Sequence, residues 1–391
     1  MRIGVDASCF GNRRGFGRFT HELLTALLQE DTNNHYKFFV DHTTADRIEF
    51  PERVDVIKAR TRTSQVLAAG ADGRRSIRDI WAMTNAVSKH DLDVFFFPAV
   101  YSYFPILNRT KILLTVHDMI ADRHPEMIFP NSRAKFFWKL KQNAAVRQAD
   151  RILTVSEYSR RVIAEYFGLS PTFISVICEA ARPDFAPANN NGKPHSILSK
   201  YGIGEHDRFL LYVGGISPHK NLARLVSAFD QVRSEPENAK LKLVLVGDYK
   251  DDPFFSAYPA LQEQIATMRD PENIIFTGFV PDSDLVRLYN AATVLVFPSL
   301  EEGFGLPAIE AMACGTPVIA SRTGSLPEVL GEAGRYFDPL DASDVARVIS
   351  AILTDHDERN SIGKIGLERS KEFTWKRAAA DTLKIFEEMA A

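Results

Sequence analysis

The chain alternates short apolar runs with longer stretches in which apolar residues recur every three or four positions. The short runs are apolar at nearly every position, as at 210–213 and 294–297. This is typical of strands covered on both faces, as in a parallel sheet. The longer stretches, such as 19–30, 221–232 and 344–353, predict amphipathic helices. The alternation predicts an α/β fold with two Rossmann-like, doubly wound domains and a cleft between them, where ligands bind at the carboxyl ends of strands.

Twelve strands are predicted, at 2–6, 36–40, 54–59, 94–98, 111–116, 151–155, 174–178, 209–213, 242–246, 274–277, 293–297 and 317–320. Between the seventh and eighth strands, residues 183–208 are rich in Pro, Asn and Gly and lack periodicity, which predicts a linker. The predicted domains are therefore 1–182 and 209–375, followed by a last helix at 376–391. Thr374 is positioned to cap that helix.

Composition limits the class of protein to which the chain can belong. The 391 residues include 45% hydrophobic and 25% charged residues, as expected for a globular protein of two domains. No apolar run is long enough to span a membrane, and we expect no secretion signal, because a charge arrives by position 6 and no apolar segment follows it. The three cysteines are far apart, which fits a reducing cytosol.

Charge is distributed unevenly along the chain. The net charge of −3 argues against general nucleic-acid binding. Residues 1–182 carry a net +6 and the remainder carries −9. We therefore expect the two predicted domains to bind different partners.

The most specific segment is 298–315, directly after a predicted strand. Gly303 and Gly305 precede a predicted helix, so backbone N–H groups there can approach a phosphate, which the helix dipole also favours. Glu302 and Glu310 stand eight residues apart across this turn. Carboxylates repel phosphate, so sugar hydroxyls are the better partners for them. Read alone, the segment also fits an ordinary strand–turn–helix corner with solvated glutamates.

A second segment, 211–222, leads from a buried strand through the glycine pair Gly214–Gly215 to Lys220. A lysine where a helix begins can neutralise a diphosphate. Asn221 is predicted to be the N-cap of that helix. The alternative is a lysine on a surface turn.

Two weaker signals lie in the first half. Gly15 and Gly17 follow the first strand and resemble a phosphate loop, but position 20 is Thr and no P-loop motif exists. Nicotinamide cofactors and P-loop chemistry are therefore disfavoured. His117 ends a buried strand, where it can donate to a sugar hydroxyl or to an acceptor. A histidine of the core or of a turn is the alternative.

Together these segments resemble the retaining nucleotide-sugar glycosyltransferases of group 1, or family 4, which have two facing Rossmann-like domains in the GT-B fold. The match rests on the Glu-x7-Glu segment from Glu302 to Glu310, the lysine loop 213–221, and the segments 277–280, 316–321 and 154–159. It spans nearly the whole chain. In this family the last helix commonly crosses back to the first domain.

The resemblance implies a role for each candidate residue. Lys220 would hold the donor diphosphate, Glu310 would bind the ribose, and Glu302 would lie beside the donor sugar. The Gly303 turn and the amides of Phe304, Gly305 and Leu306 would contact that sugar and the phosphates. The backbone of Val280 would meet the base, His117 would approach the donor sugar or the acceptor, and the Gly15–Gly17 loop would close over the diphosphate. The reaction implied retains the anomeric configuration and needs neither a metal nor a cofactor.

One position departs from the pattern. Many members carry Arg where this chain has Gly215, so one cation on the diphosphate is missing. This version resembles the members that transfer mannose or rhamnose in bacterial surface-polysaccharide synthesis, with GDP-mannose as donor and a glycan or lipid-linked acceptor. Two alternatives stay open: a nucleotide-sugar epimerase on the same fold, and an inactive nucleotide-sugar-binding scaffold.

Residues 131–147 predict contact with a membrane surface. Five cations, Arg133, Lys135, Lys139, Lys141 and Arg147, occur there without a carboxylate, and Phe136, Phe137 and Trp138 lie among them. Such a helix can rest on anionic lipid. A helix packed on the first domain with a solvated basic face is the alternative. We expect a cytoplasmic protein that reaches the inner face of the membrane through this segment.

Overall fold

The computed structural model describes residues 1–12, 14–64, 76–188, 195–249 and 256–391. The chain divides into two compact units. The first unit comprises Met1–Glu179 together with Thr374–Ala391, and the second comprises Ala180–Phe373.

The first unit contains a seven-stranded parallel sheet in the order β3-β2-β1-β4-β5-β6-β7. Its strands are β1 (Arg2–Asp6), β2 (His35–Asp41), β3 (Asp55–Ala59), β4 (Val94–Phe97), β5 (Lys111–Thr115), β6 (Arg151–Thr154) and β7 (Ile174–Val176). All four residues of β4 are buried, as the continuous apolar run predicts for a central strand.

The second unit contains a six-stranded parallel sheet in the order β10-β9-β8-β11-β12-β13. Its strands are β8 (Phe209–Val213), β9 (Lys242–Val246), β10 (Ile274–Gly278), β11 (Val294–Phe297), β12 (Val318–Ser321) and β13 (Gly334–Phe337). The prediction of two doubly wound α/β domains is confirmed. Strand β13 was not predicted, because its sequence Gly-Arg-Tyr-Phe at the edge of the sheet lacks an apolar run.

The described residues contain sixteen α-helices. They are α1 (Gly15–Glu30), α2 (His42–Ala45), α3 (Ile77–Ser88), α4 (Ile120–Arg123), α5 (Pro125–Ile128), α6 (Ser132–Gln148), α7 (Glu157–Phe167), α8 (His195–Lys200), α9 (Leu222–Arg233), α10 (Tyr258–Ala266), α11 (Asp282–Ala291), α12 (Leu306–Ala313), α13 (Leu326–Leu330), α14 (Ala342–Thr354), α15 (His356–Ser370) and α16 (Trp375–Ala390).

Part of the segment predicted as a linker is folded. Residues 189–194 lie outside the described residues, but 195–200 form α8 rather than a linker. Leu198 and Ile203 are buried, and the side chains of Lys200 and Tyr201 both donate to Asp284 on α11, at 2.7 Å each. These two apolar anchors and the shared carboxylate stabilise the segment on the second unit.

The last helix, α16, belongs to the first unit and packs against α1. The hydroxyl of Thr374 accepts a hydrogen bond from the backbone N–H of Arg377, which confirms the predicted cap. Phe386 packs edge-on against Phe96 of β4, with ring centroids 5.7 Å apart. The first unit is therefore assembled from both ends of the chain.

Candidate functional site

The loops after β8 and β11 meet, because these two strands are neighbours in a parallel sheet and end at the same edge. The backbone N–H of Leu300 donates to the carbonyl of His219 at 2.8 Å, which ties one loop to the other. The side chain of Asn221 donates to the carbonyls of Pro298 and Pro339, at 3.1 and 2.8 Å. Two segments whose contacting residues are 77 and 81 positions apart in sequence thus form one surface.

Asn221 stands at the N-cap position of α9, as predicted, but its side chain does not cap the helix. Its φ of 59° makes it the one non-glycine residue with a left-handed backbone among those described. Asparagine tolerates this conformation better than most residues. The predicted N-cap position is therefore confirmed, although the amide is committed to two carbonyls of neighbouring loops and makes no capping bond.

Lys220 and Glu302 form a close ion pair. The Lys220 Nζ lies 2.6 Å from Glu302 Oε1, and the two side chains are only 19% and 10% exposed. Tyr212 lies beneath them, and its hydroxyl donates to the carbonyl of Gly215 at 2.7 Å. Burial, and secondly the negative charge of Glu302, raise the pKa of Tyr212 well above its ordinary value. The phenol therefore remains a neutral donor beside the ion pair.

The turn that carries Glu302 is held by hydrogen bonds from the loop that connects β12 to α13. The Ser325 hydroxyl donates to the carbonyls of Glu302 and Phe304, at 3.0 and 2.9 Å. Gly324 has a φ of +64°, and a Cβ there would lie 2.8 Å from the backbone nitrogen of Glu302. Side chains larger than hydrogen are thus excluded where this loop approaches the Glu302 turn. All residues from 301 to 306 are buried.

Helix α12 begins directly after this turn. Gly305 occupies its N-cap position with a φ of 106°, and Pro307 is the second helical residue. The amides of Phe304, Gly305 and Leu306 lead into this N-terminus, where the helix dipole favours negative charge. The candidate phosphate-binding element predicted from Gly303 and Gly305 is therefore present as a turn followed by a helix.

Glu310 is the fifth residue of α12 and is almost completely buried. Its Oε2 accepts a hydrogen bond from the hydroxyl of Tyr289 on α11 at 3.0 Å. Burial, and secondly the charge of Glu310, raise the pKa of the nearby Cys314 thiol to about 12. Cys314 therefore stays a thiol at neutral pH, and Tyr289 orients the carboxylate.

Close glycine contacts shape the edge of the sheet beside this site. Gly214 donates its N–H to Val246 at the end of β9, and Gly247 donates to Gly278 at the end of β10. A Cβ on Gly247 would lie 1.9 Å from the carbonyl oxygen of Gly214, so only glycine fits. Val280 follows β10 and is buried. The loop that leads to Lys220 thus begins with two residues, Gly214 and Gly215, that have no side chain.

His117 lies in the first unit, after β5, and is mostly buried. Its Nε2 donates to the carbonyl of Pro98, at 3.0 Å, and its Nδ1 lies 3.7 Å from Glu179 Oε1. Phe19 contacts the ring edge-on, with ring centroids 4.6 Å apart. The bond to Pro98 assigns the Nε2 proton and leaves Nδ1 facing the carboxylate.

The two candidate glycines, Gly15 and Gly17, lie in the first turn of α1, not in a loop before a later helix. Gly15 is the first residue of α1, and nothing lies within 4 Å of a Cβ placed on it. A Cβ on Gly17 would lie 2.2 Å from the carbonyl oxygen of Asn12. The predicted helix start at 19 is therefore wrong, because Gly17 lets the turn at Asn12 pack directly on the helix.

Three side chains that contact candidate residues were not predicted from the sequence: Tyr289, Ser325 and Glu179. Each contacts a candidate residue from another element, at sequence separations of 21, 23 and 62 residues from Glu310, Glu302 and His117. Only Ser325 has a local signal, since it follows Gly324 in the short loop between β12 and α13. The described residues contain no cluster of His, Cys, Asp or Glu able to hold a metal ion, and no described helix combines the length and apolar character needed to cross a bilayer.

Two family models match the chain. Residues 13–184 match "Glycosyltransferase Family 4". Residues 196–369 match "Glycosyl transferases group 1". The second match includes the lysine loop, Val280 and the whole Glu302–Glu310 segment.

Curated relatives and a solved structure resemble the chain over different lengths. It is 29% identical over 383 residues to the Escherichia coli O-antigen chain mannosyltransferase B, covering 95% of each chain. It is 33% identical over 273 residues to the E. coli serotype-specific mannosyltransferase WbdA, covering 69% of this chain and 32% of WbdA. The fold resembles that of sucrose-phosphate synthase from Thermosynechococcus elongatus, with a TM-score of 0.74, 21% identity and coverage of 100% and 99% of the two chains.

Proposed function

This chain belongs to the group 1 and family 4 glycosyltransferases with the GT-B fold, and we propose that it transfers mannose or a similar hexose from a nucleotide-diphosphate sugar. The acceptor is a glycan or a lipid-linked glycan of a cell-surface polysaccharide. The mannosyltransferases that it resembles support this assignment. GDP-mannose is the donor that we assign.

The observation that carries the proposal is the Lys220–Glu302 pair at the start of α12. Lys220 has three N–H donors and uses one on Glu302, so it retains donors for a diphosphate. Breakage of the sugar–phosphate bond leaves negative charge on the diphosphate, which Lys220 and the N-terminus of α12 stabilise. Because that charge is largest in the transition state, the interaction raises the rate more than it raises donor affinity.

The remaining residues have positioning and electrostatic tasks in this proposal. Glu302 stabilises the positive charge that develops on the sugar ring, and Glu310 binds the ribose hydroxyls. The acceptor oxygen bonds to the anomeric carbon as the diphosphate leaves, and the acceptor proton passes to the leaving phosphate. The configuration is retained, and Lys220 with the helix dipole supplies the positive charge without a metal or a cofactor. His117 acts on the donor sugar or acceptor, and Gly15 and Gly17 approach the diphosphate.

The proposal also places the protein in the cytoplasm at the inner face of the membrane, with helix α6 as the contact. A lipid-linked acceptor is presented at such a surface. The five cations and the exposed phenylalanines of α6 support this placement.

A panel of radiolabelled sugar nucleotides, incubated with and without a lipid-phosphate acceptor, tests the proposal. Transfer of label to acceptor from GDP-mannose is the expected result, and nuclear magnetic resonance of the product then gives the anomeric configuration. Interconversion of the sugar nucleotide without acceptor identifies an epimerase instead. Binding without turnover identifies a scaffold, and transfer that survives metal chelation supports metal independence.

A further inference from the structure

Helix α6 exposes three large apolar side chains instead of burying them. Phe136, Phe137 and Leu140 are 62%, 54% and 58% exposed. The buried positions of the same helix are Gln142, Ala145 and Val146. A helix on a globular domain ordinarily turns its large apolar residues inward. An exposed apolar cluster of this kind on α6 indicates a surface that binds a partner.

The cluster lies between cations on one stripe of the helix. At 100° per residue, Arg133, Phe136, Leu140, Ala144 and Arg147 fall on one side, with an arginine at each end about 21 Å apart. The Arg133 guanidinium lies 5.7 Å from the Phe137 ring centroid, and Lys139 is exposed beside Phe136. The helix contains five cations and no carboxylate.

Two residues expected in this surface face the protein instead. The Trp138 Nε1 donates to Asp122 at 3.0 Å. The Lys141 Nζ donates to the carbonyl of Tyr101 at 3.0 Å and lies 4.4 Å from the Trp138 ring centroid. Trp138 and Lys141 thus anchor α6 on the first unit, which fixes the direction in which the stripe faces.

We propose that this outward stripe, hereafter the α6 stripe, docks on a lipid surface with anionic headgroups. Phe136, Phe137 and Leu140 enter the boundary between headgroups and acyl chains, while Arg133, Lys139 and Arg147 bind lipid phosphates. A second copy of the chain fits poorly, because it would bring two helices of five cations together. The docking rests on the membrane placement in the proposed function and deepens it by naming the residues that contact the lipid and the headgroup charge that they require, and it is independent of the reaction.

Flotation of the intact protein with lipid vesicles tests the α6 stripe. One vesicle set contains phosphatidylcholine alone, and the other contains about one third phosphatidylglycerol. We expect binding only to the anionic set, weakening as salt rises from low ionic strength. The triple variant Phe136→Ser, Phe137→Ser, Leu140→Ser should lose at least about tenfold in vesicle affinity, because the apolar area is gone. The double variant Arg133→Gln, Lys139→Gln should lose the preference for anionic lipid.

The matched control replaces exposed apolar residues outside a cationic stripe. Ile77 and Trp81 of α3 are 73% and 57% exposed, and Ile77→Ser, Trp81→Ser should leave vesicle binding unchanged. Equal binding to both vesicle sets, no binding, or a triple variant that binds like the parent would overturn the proposal. Self-association that the triple variant abolishes would assign the stripe to a second copy and overturn it too. Thermal unfolding verifies that each variant is folded, and nucleotide binding, measured separately, reports on the proposed reaction.

Discussion

The loops after β4 and β5 in the first unit and those after β11 and β12 in the second occupy equivalent places in two sheets. In each pair, a side chain from the second loop donates to backbone carbonyls of the first. The first unit uses the ring of His117 on Pro98, whereas the second uses the hydroxyl of Ser325 on Glu302 and Phe304. One structural task is thus performed by a titratable group in one unit and by a neutral hydroxyl in the other.

In the second unit, the residue that holds the loop, Ser325, is not itself a candidate for the chemistry, whereas in the first unit His117 is both. Because Ser325 holds the turn, the charges of Lys220 and Glu302 remain available to contact each other and a ligand. His117 has one ring nitrogen committed to the fold, so its replacement disturbs the loop as well as any contact with substrate. Variants of the two units should therefore differ in how stability and turnover change together.

The largest effect is expected from Lys220→Ala. Removing the ammonium should lower turnover by a factor on the order of 10²–10³, as for the loss of one transition-state donor. It also leaves the Glu302 carboxylate buried without its partner, which should lower the free energy of unfolding by about 3 kcal/mol. Steady-state kinetics and denaturant unfolding measure the two effects.

The double variant Lys220→Met, Glu302→Gln is the control for this pair. Both charges are removed, so we expect stability near that of the parent while turnover stays low. Parental turnover in Lys220→Ala would refute the role of the lysine on the diphosphate. Recovery of turnover in the double variant would mean that the single variant fails only because its fold is disturbed.

The next effect concerns Glu310 and the tyrosine that orients it. Glu310→Ala should weaken nucleoside diphosphate binding by about 1.5–3 kcal/mol, the contribution of a hydrogen bond to a charged group. Tyr289→Phe should weaken it by about 0.5–1.5 kcal/mol, because the carboxylate remains but loses one donor. Calorimetry with the ribonucleotide and its 2′,3′-dideoxy analogue measures both. An equal loss with the analogue would contradict the ribose assignment.

Ser325→Ala should lower the free energy of unfolding by about 1–3 kcal/mol, because two buried carbonyls lose the same hydroxyl donor. Since the Glu302 turn then loosens, we expect turnover to fall more than affinity for the bare nucleoside diphosphate. Ser325→Thr retains the hydroxyl and serves as control. Unchanged kinetics in Ser325→Ala, measured on folded protein, would show that the turn holds Glu302 without this bond.

The smallest stability effect is expected at His117. His117→Phe removes one hydrogen bond to Pro98 and should cost about 0.5–1.5 kcal/mol, whereas His117→Gln keeps a donor and should recover part of it. Urea unfolding measures the difference. Full stability with low turnover in His117→Phe would break the comparison, because the histidine would then serve chemistry alone.

The sequence predicts the strands and the positions of Lys220, Glu302 and Glu310 because those signals are local. Buried strands are apolar throughout, and glycines with a proline bracket the start of α12. The contact between Lys220 and Glu302 requires that β8 and β11 be neighbours, and strand order is not a local property. The edge strand β13 and helix α8 were missed for the same reason, since each is stabilised by packing on other elements rather than by its own pattern.

The pairing of Tyr289 with Glu310 depends on how α11 packs beside α12, which no spacing in the sequence specifies. The left-handed backbone of Asn221 also depends on contacts that no sequence spacing specifies, because it is favoured by two carbonyls from distant loops. The glycine contact between Gly214 and Gly247 likewise joins the ends of two strands. Sequence analysis identifies which residues can bind, whereas the packing of separate elements decides which of them meet.

The Lys220–Glu302 pair has a kinetic consequence for donor capture. With their charged atoms 2.6 Å apart, the two groups act at a distance as a dipole, whose field declines faster than that of one charge. Residues 183–391 carry a net −9, which repels an anionic sugar nucleotide at long range. The association rate should therefore gain little from electrostatic steering and should not fall as ionic strength rises. If Lys220 binds the diphosphate as proposed, attraction begins only once the diphosphate is close enough to share the ammonium, and we expect selection of the donor after encounter rather than during approach.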